Sequence, residues 1–232
     1  MKFHKFPKKS LGQNFLIDQN IIKKIIKIGE LNNNKVVLEI GPGTGNLTKE
    51  ILLTYPKKIT LIEKDKNLFT KLKYQYKNID NLNIMNEDIL NYISSNILDK
   101  KIIVFGNLPY NISTQVLAKL ILLDKWPPWY DKLILMFQKE VADRILAKTN
   151  SKNYGRIGII SNWKLKVEKV IDVNPSCFSP KPKIKSTLLK FTPKDNYFKF
   201  KDSKNLEIIT RIFFNQRRKK IKKPFNKIFN IS

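Results

Sequence analysis

Five short apolar runs, Val36 to Ile40, Ile59 to Ile62, Leu82 to Met85, Ile102 to Phe105 and Leu133 to Phe137, recur along the chain, separated by segments of helical period. This alternation constrains the fold more than any other feature. Runs with so little polar interruption are strands covered on both faces. Before the first strand, Ile21, Ile22, Ile25, Ile26 and Ile28 share a helix face; Leu47, Ile51 and Leu52 follow it, Leu68 and Leu72 follow the second, and Val116 to Leu123 follow the fourth. Strands that alternate with helices predict a parallel, doubly wound α/β sheet. Beyond Arg144, strands at Ile157 to Trp163 and Leu188 to Phe191 are predicted to flank the proline-rich segment Asn174 to Lys185 and to close the sheet with an antiparallel edge. Residues 1–17 read as a basic arm, 18–194 as the α/β domain, and 195–232 as a small basic helical subdomain with a helix at Leu206 to Phe214.

The first strand runs into Gly41-Pro42-Gly43-Thr44-Gly45, the strand–turn–helix arrangement of a nucleotide-type site. Its details disfavour a dinucleotide. The spacing of Gly41, Gly43 and Gly45 is G-x-G-x-G, and Glu39 stands where its charge opposes a pyrophosphate. S-adenosylmethionine has no phosphate and carries an ammonium group, so a carboxylate at this turn suits it. Glu63, closing the second strand, is placed to accept from both ribose hydroxyls, and Asp88, after the third, from the adenine amino group. Each feature alone is common in α/β proteins; their order is what points to this cofactor.

After the fourth strand comes Asn107-Leu108-Pro109-Tyr110, at the edge where an open α/β sheet binds its ligands. The amino nitrogen of adenine is a poor nucleophile because its lone pair is delocalised into the ring. Two acceptors aimed at its N–H groups, the Asn107 side-chain oxygen and a backbone carbonyl at Leu108 or Pro109, would draw it toward tetrahedral geometry. Pro109 stiffens the turn and Tyr110 offers a face for an extruded base. Phe178, in the proline-rich loop Cys177-Phe178-Ser179-Pro180-Lys181-Pro182-Lys183, reads as an opposing clamp, with core packing as the alternative. Cys177 as a covalent nucleophile is disfavoured, since only scattered lysines would lower its pKa.

The net charge of +26 exceeds what solubility requires and draws such a chain to a polyanion, with nucleic acid foremost. The plain alternative is a genome-wide bias toward Lys, Ile and Asn. The candidate RNA contacts are Lys8 and Lys9 in the arm, Arg144, Arg156, Lys181 and Lys183, and the run Arg217, Arg218, Lys219, Lys220, Lys222 and Lys223. One cysteine and one histidine, His4, leave no disulfide, no cysteine-built zinc site and no serine–histidine triad, so no metal is expected. No run approaches the roughly 20 apolar residues of a membrane span, and the N-terminus lacks a signal peptide's apolar stretch. A cytoplasmic location with no membrane partner is the expectation.

Together these residues resemble the KsgA-type family of ribosomal RNA adenine N6,N6-dimethyltransferases, over about Lys8 to Phe225. Lys9-Ser10-Leu11-Gly12-Gln13-Asn14-Phe15-Leu16 looks like the family's N-terminal signature, and the resemblance adds Gln13, Asn14 and Leu16 to the cofactor contacts, with Asn107 as well. Further matches are Gln138 to Ala142, Tyr154 to Arg156, Phe178 to Lys183 with Ser186, and Gln216 to Lys219. The resemblance implies a Rossmann-like class I methyltransferase sheet acting, as a monomer, on two adjacent adenosines in the 3′-terminal hairpin of small-subunit rRNA within an immature subunit. Relatives continue past the Arg-Arg-Lys segment with more helices, whereas this sequence stops at Ser232, which implies a shortened C-terminal subdomain. Two other readings remain: a macrolide-resistance-type large-subunit rRNA methyltransferase, and a non-catalytic rRNA-binding assembly factor.

Overall fold

The computed structural model describes residues 12–94, 101–109, 112–215 and 220–229. The chain enters through β1 (Phe15–Leu16) and α1 (Gln19–Gly29), then alternates β2 (Val36–Ile40), α2 (Asn46–Leu52), β3 (Lys58–Ile62), α3 (Lys66–Gln75), β4 (Leu82–Met85), α4 (Ile89–Tyr92), β5 (Ile102–Asn107), α5 (Ser113–Ile121) and β6 (Tyr130–Gln138). It continues with α6 (Lys139–Ile145), α7 (Arg156–Lys164), β7 (Leu165–Val173), β8 (Phe178–Ser179), β9 (Ser186–Pro193), α8 (Ser203–Asn215) and α9 (Lys222–Phe229). Seven strands pair in the order β4-β3-β2-β5-β6-β9-β7, the first five parallel and β9 antiparallel to both its neighbours. The expected doubly wound sheet and its antiparallel edge are both present.

Why the strands lack polar alternation is visible in β5. Val104 belongs to a core cluster with Val116, Leu117 and Leu120 of α5, while Ile103 and Phe105 belong to a second cluster with Ile22 and Ile25 of α1. Each face of the sheet is thus roofed by helices, and every β5 position from Ile102 to Phe105 is buried. α1 begins where the Asp18 carboxylate accepts from the Ile21 amide at 3.0 Å, and ends at Glu30 in left-handed geometry, φ 53°. From β2 the chain winds outward through β3 to β4, then returns to the other flank of β2 as β5. That reversal opens a crevice at the C-terminal ends of β2 and β5, the site-forming position in such sheets.

One sequence expectation is corrected beyond Arg144. The segment Ile157 to Trp163 is not a strand but most of α7. Its apolar residues fit either state, and tertiary packing decides: Gly158 sits so close to α6 that a Cβ there would lie 2.7 Å from the Arg144 carbonyl oxygen, and the Asn162 amide donates to the Ile145 oxygen. The edge strand follows instead, as β7. Its register against β9 shifts between Lys169 and Ile171, so Leu165 and Val167 face one core cluster while Ile171 and Val173, in the same sequence phase, face the other. α8 covers the expected helix at Leu206 to Phe214 and meets α7 through an Arg156–Glu207 ion pair of 2.8 Å.

Candidate functional site

β2 delivers the chain into a turn in which Gly41, Gly43 and Gly45 all have positive φ, at 65°, 58° and 83°. Gly43 has a second reason to be glycine. A Cβ there would stand 2.6 Å from the Phe15 ring, which roofs the turn. One residue past β3, Glu63 is anchored by backbone donors: the Gly43 amide donates to Oε2 at 3.1 Å and the Asp65 amide to Oε1 at 2.8 Å. Glu63 is 6% exposed, and burial raises its pKa against the lowering effect of those two bonds. Asp88 caps α4 by accepting from the Leu90 amide and holds Lys64 at 2.7 Å, and that contact keeps its carboxyl below the usual range. Glu39 lies beneath the turn with Thr48 donating to it at 2.7 Å; burial pushes its pKa up to about 8.

Asn107 is the last residue of β5. Its Nδ2 donates to the Asn14 carbonyl oxygen at 2.8 Å. A carbonyl only accepts, so the amide's orientation is fixed, and Oδ1 is the atom turned away from the arm. The arm is pinned twice more, where Asn46 Nδ2 donates to the Leu16 oxygen at 2.8 Å and Gln13 Nε2 to Asp65 at 3.1 Å. One cavity is lined by Gln13, Asn14, Leu16, Glu39, Gly41, Gly43, Glu63 and Asp88 together with Asn107, Leu108 and Pro109. Of the expected cofactor residues, only Gly45 stands back from it, beneath Tyr76 and Leu72. Among the described residues, Lys64, tied to Asp88, is the only lysine or arginine in that lining, against the acidic side chains of Glu63, Glu87 and Asp88, while buried Glu39 holds its proton at neutral pH. Such a wall repels a diphosphate and tolerates a cation.

Phe178 takes the core-packing alternative and does not present an open face as a clamp. It is 3% exposed and packs in the core cluster of Leu16, Val173 and Leu188, because β8 pairs antiparallel with β1, Leu16 opposite Phe178. The Cys177 thiol is raised by burial and by the Asp18 carboxylate, the wrong direction for a nucleophile. Among the candidate RNA contacts, Lys181, Lys183, Lys220 and Lys222 are exposed, whereas Arg144 pairs with Glu140 and Arg156 with Glu207. Lys8, Lys9, Tyr110, Arg217, Arg218 and Lys219, and the side chain of Lys223, lie outside the described residues. Sequence reading missed Phe15, Asn46, Thr48 and Asp65. Only Asp65 left a signal, as an aspartate one turn before the apolar residues of α3.

A family model described as ribosomal RNA adenine dimethylase matches residues 4–231. The ribosomal RNA small subunit methyltransferase A of Pelagibacter ubique is 57% identical over 223 residues, covering 96% of this chain and 84% of the relative. The crystal structure of a dimethyladenosine transferase from Plasmodium falciparum superposes with a TM-score of 0.78 at 34% identity, over 93% of this chain and 77% of that one. The 23S rRNA methyltransferase ErmE shares the fold, with a TM-score of 0.68 at 22% identity over 92% of this chain and 84% of that one.

Proposed function

The chain belongs to the ribosomal RNA adenine dimethylase family, and from that premise we propose that it transfers methyl groups from S-adenosylmethionine to N6 of two adjacent adenosines near the 3′ end of small-subunit rRNA, during subunit maturation. The observation that carries this reading is Asn107, whose amide is turned by the Asn14 carbonyl so that Oδ1 is left for an incoming amine, in the same cavity as Glu63 and Asp88.

The residues fit the cofactor. Glu63, held by two backbone amides, presents a fixed acceptor edge for ribose hydroxyls; Asp88 accepts from the adenine amine, and Leu68 and Ile89 supply apolar wall beside it. When bound, S-adenosylmethionine supplies an electrophilic methyl group on a sulfonium. The protein then has to aim one nitrogen. Asn107 Oδ1 and a carbonyl at Leu108 or Pro109 each accept an N–H of the target amine, which frees its lone pair from the ring. Tyr110, next in the chain after Pro109, stacks on the extruded base. Phe178 enters as the buried residue that anchors the β1–β8 ribbon over the cavity. Division into an arm (residues 1–17), a catalytic domain (18–194) and a basic helical subdomain (195–232) suits this chemistry, with Gln13 to Leu16 closing the cofactor site.

The test is to incubate unmodified small ribosomal subunits with the protein and S-adenosylmethionine and to map products by mass spectrometry of nuclease digests. N6,N6-dimethyladenosine at two neighbouring positions is expected. Monomethyladenosine alone, or modification confined to large-subunit RNA, overturns the reading.

A further inference from the structure

The opposite edge of the sheet carries a cluster of aromatic rings that methyl transfer does not use. β9 runs antiparallel to β6, with Phe191 opposite Leu133, so β9 leaves the sheet near the start of β6, away from the cavity. The connector that follows, residues 194–202, is tied down at several points. The Lys194 amide donates to the Lys164 oxygen at 2.9 Å, Trp126 Nε1 to the Lys194 oxygen at 3.1 Å, and Trp163 Nε1 to the Phe198 oxygen at 2.6 Å. At the centre lies the Lys164 ammonium, 4.5, 4.8 and 5.6 Å from the ring centroids of Trp163, Trp126 and Tyr197. Outward from this centre, Trp163 meets Phe200 at 5.3 Å and Phe200 meets Phe198 at 4.8 Å. The series ends in water, with Phe198 71% exposed.

A single exposed phenylalanine is ordinary. This one is unusual in its support: its carbonyl is held by Trp163 and its ring is backed by Phe200, so its open face is presented with little further ordering cost on binding. Lys199 and Lys201 alternate with the two phenylalanines, are exposed, and have no ion-pair partner among the described residues. Fixed aromatic faces beside unpaired ammonium groups, on a chain of charge +26, match an unpaired nucleotide, whose base stacks while its phosphates are neutralised.

We propose that residues 197–201 form a stacking site for an unpaired nucleotide of the RNA substrate, on the far edge of the sheet from the methyl-transfer cavity. The proposal rests on the reading of the chain as an rRNA methyltransferase. Along β6, Tyr130 at its start and Met136, which pairs with Asn107, lie about 20 Å apart, so the stacked nucleotide is not the target adenosine. The two places would engage different nucleotides of one RNA, so this site would add to the positioning of the substrate.

The test measures binding of unmodified small ribosomal subunits to the full chain carrying Phe198→Ala, Phe198→Leu or Phe198→Trp, with thermal unfolding and cofactor calorimetry as controls. Ala and Leu are expected to weaken binding by about tenfold or more, and Trp to stay within about twofold of the parent, because any π face serves a base. Lys199→Gln with Lys201→Gln should lower the salt slope of binding by about 1 to 2. Unchanged affinity in Phe198→Ala overturns the proposal. So does full affinity in Phe198→Leu with loss in Phe198→Ala, which would identify an apolar protein partner. Failure of the underlying reading looks different: the unsubstituted chain would then not methylate small subunits at all.

Discussion

Replacing Glu39 with Gln should stabilise the cofactor-free protein by an amount that grows with pH. Glu39 is 2% exposed on β2, and its hydrogen-bond donor is Thr48 at 2.7 Å. Burial is the largest cause of its raised pKa, with the like charge of Glu63 adding to it, and the outcome is a carboxyl that titrates at about 8 in place of 4.5. A raised folded value means that the folded state holds its proton while the unfolded chain has released it. The stabilising contribution is therefore complete below 4.5, falls as pH rises from there toward 8, and levels off above. Linkage converts these values into a loss of roughly 1 kcal/mol at pH 5, ~3 at pH 7 and ~5 at pH 9. Gln has the same shape, keeps an oxygen for the Thr48 hydroxyl and has no proton to lose. The stability difference between Glu39→Gln and the parent should thus change by about 4 kcal/mol from pH 5 to pH 9. Urea unfolding followed by tryptophan fluorescence at pH 5, 7 and 9 reads it directly. A difference that stays flat across that range would mean that Glu39 is charged and hydrated in the folded protein, and the burial argument would fail.

Asn107→Ala should lower single-turnover methylation by about 10² to 10³ while subunit binding persists, since it removes an acceptor that acts in the transition state; near-normal turnover would place amine activation elsewhere. Glu63→Ala removes the proposed ribose acceptor and also releases the Gly43 and Asp65 amides, so cofactor affinity in calorimetry should fall by roughly 10- to 150-fold. Gly158→Ala forces a Cβ to 2.7 Å from the Arg144 oxygen and should destabilise the fold by ~1–3 kcal/mol, seen as a lower thermal midpoint. Neutralising Lys220 and Lys222 with the charges at 217–219 should flatten the salt dependence of RNA binding without touching cofactor affinity; an unchanged slope would make them mere solvated surface.

The sequence was most legible where burial is two-sided. Runs such as Ile102 to Phe105 cannot be exposed on either face, and their order with the helices leaves few topologies, so β2 to β6 were all placed correctly. Glu39, Glu63 and Asn107, proposed for the cofactor site, share a cavity for a related reason: each lies at or just past the end of such a strand, where topology brings them to one edge. Legibility failed where long-range contacts decide. α7 is helical because Gly158 and Asn162 pack on α6, and nothing local in Ile157 to Trp163 reports that neighbour. Phe178 looked stranded among prolines because its partner Leu16 lies far away at the other end of the chain, and a two-residue pairing leaves no periodicity to read.

The arm is what makes one site of these separated signals. Three consecutive residues hold three different walls: the Asn14 carbonyl takes the Asn107 amide, the Phe15 ring covers Gly43, and the Leu16 carbonyl takes Asn46 while its strand pairs with β8. Covering of the glycine turn and orientation of the Asn107 amide are therefore the same structural event. An open arm would leave Asn107 free to rotate its amide, presenting Nδ2 as readily as Oδ1 to the pocket, and a donor in that position repels the N–H groups of the target amine. On the proposed function, aim at the nucleophile would thus depend on closure over the methyl donor's site, tying the geometry of methyl transfer to residues 14–16 as closely as to the strand that carries Asn107.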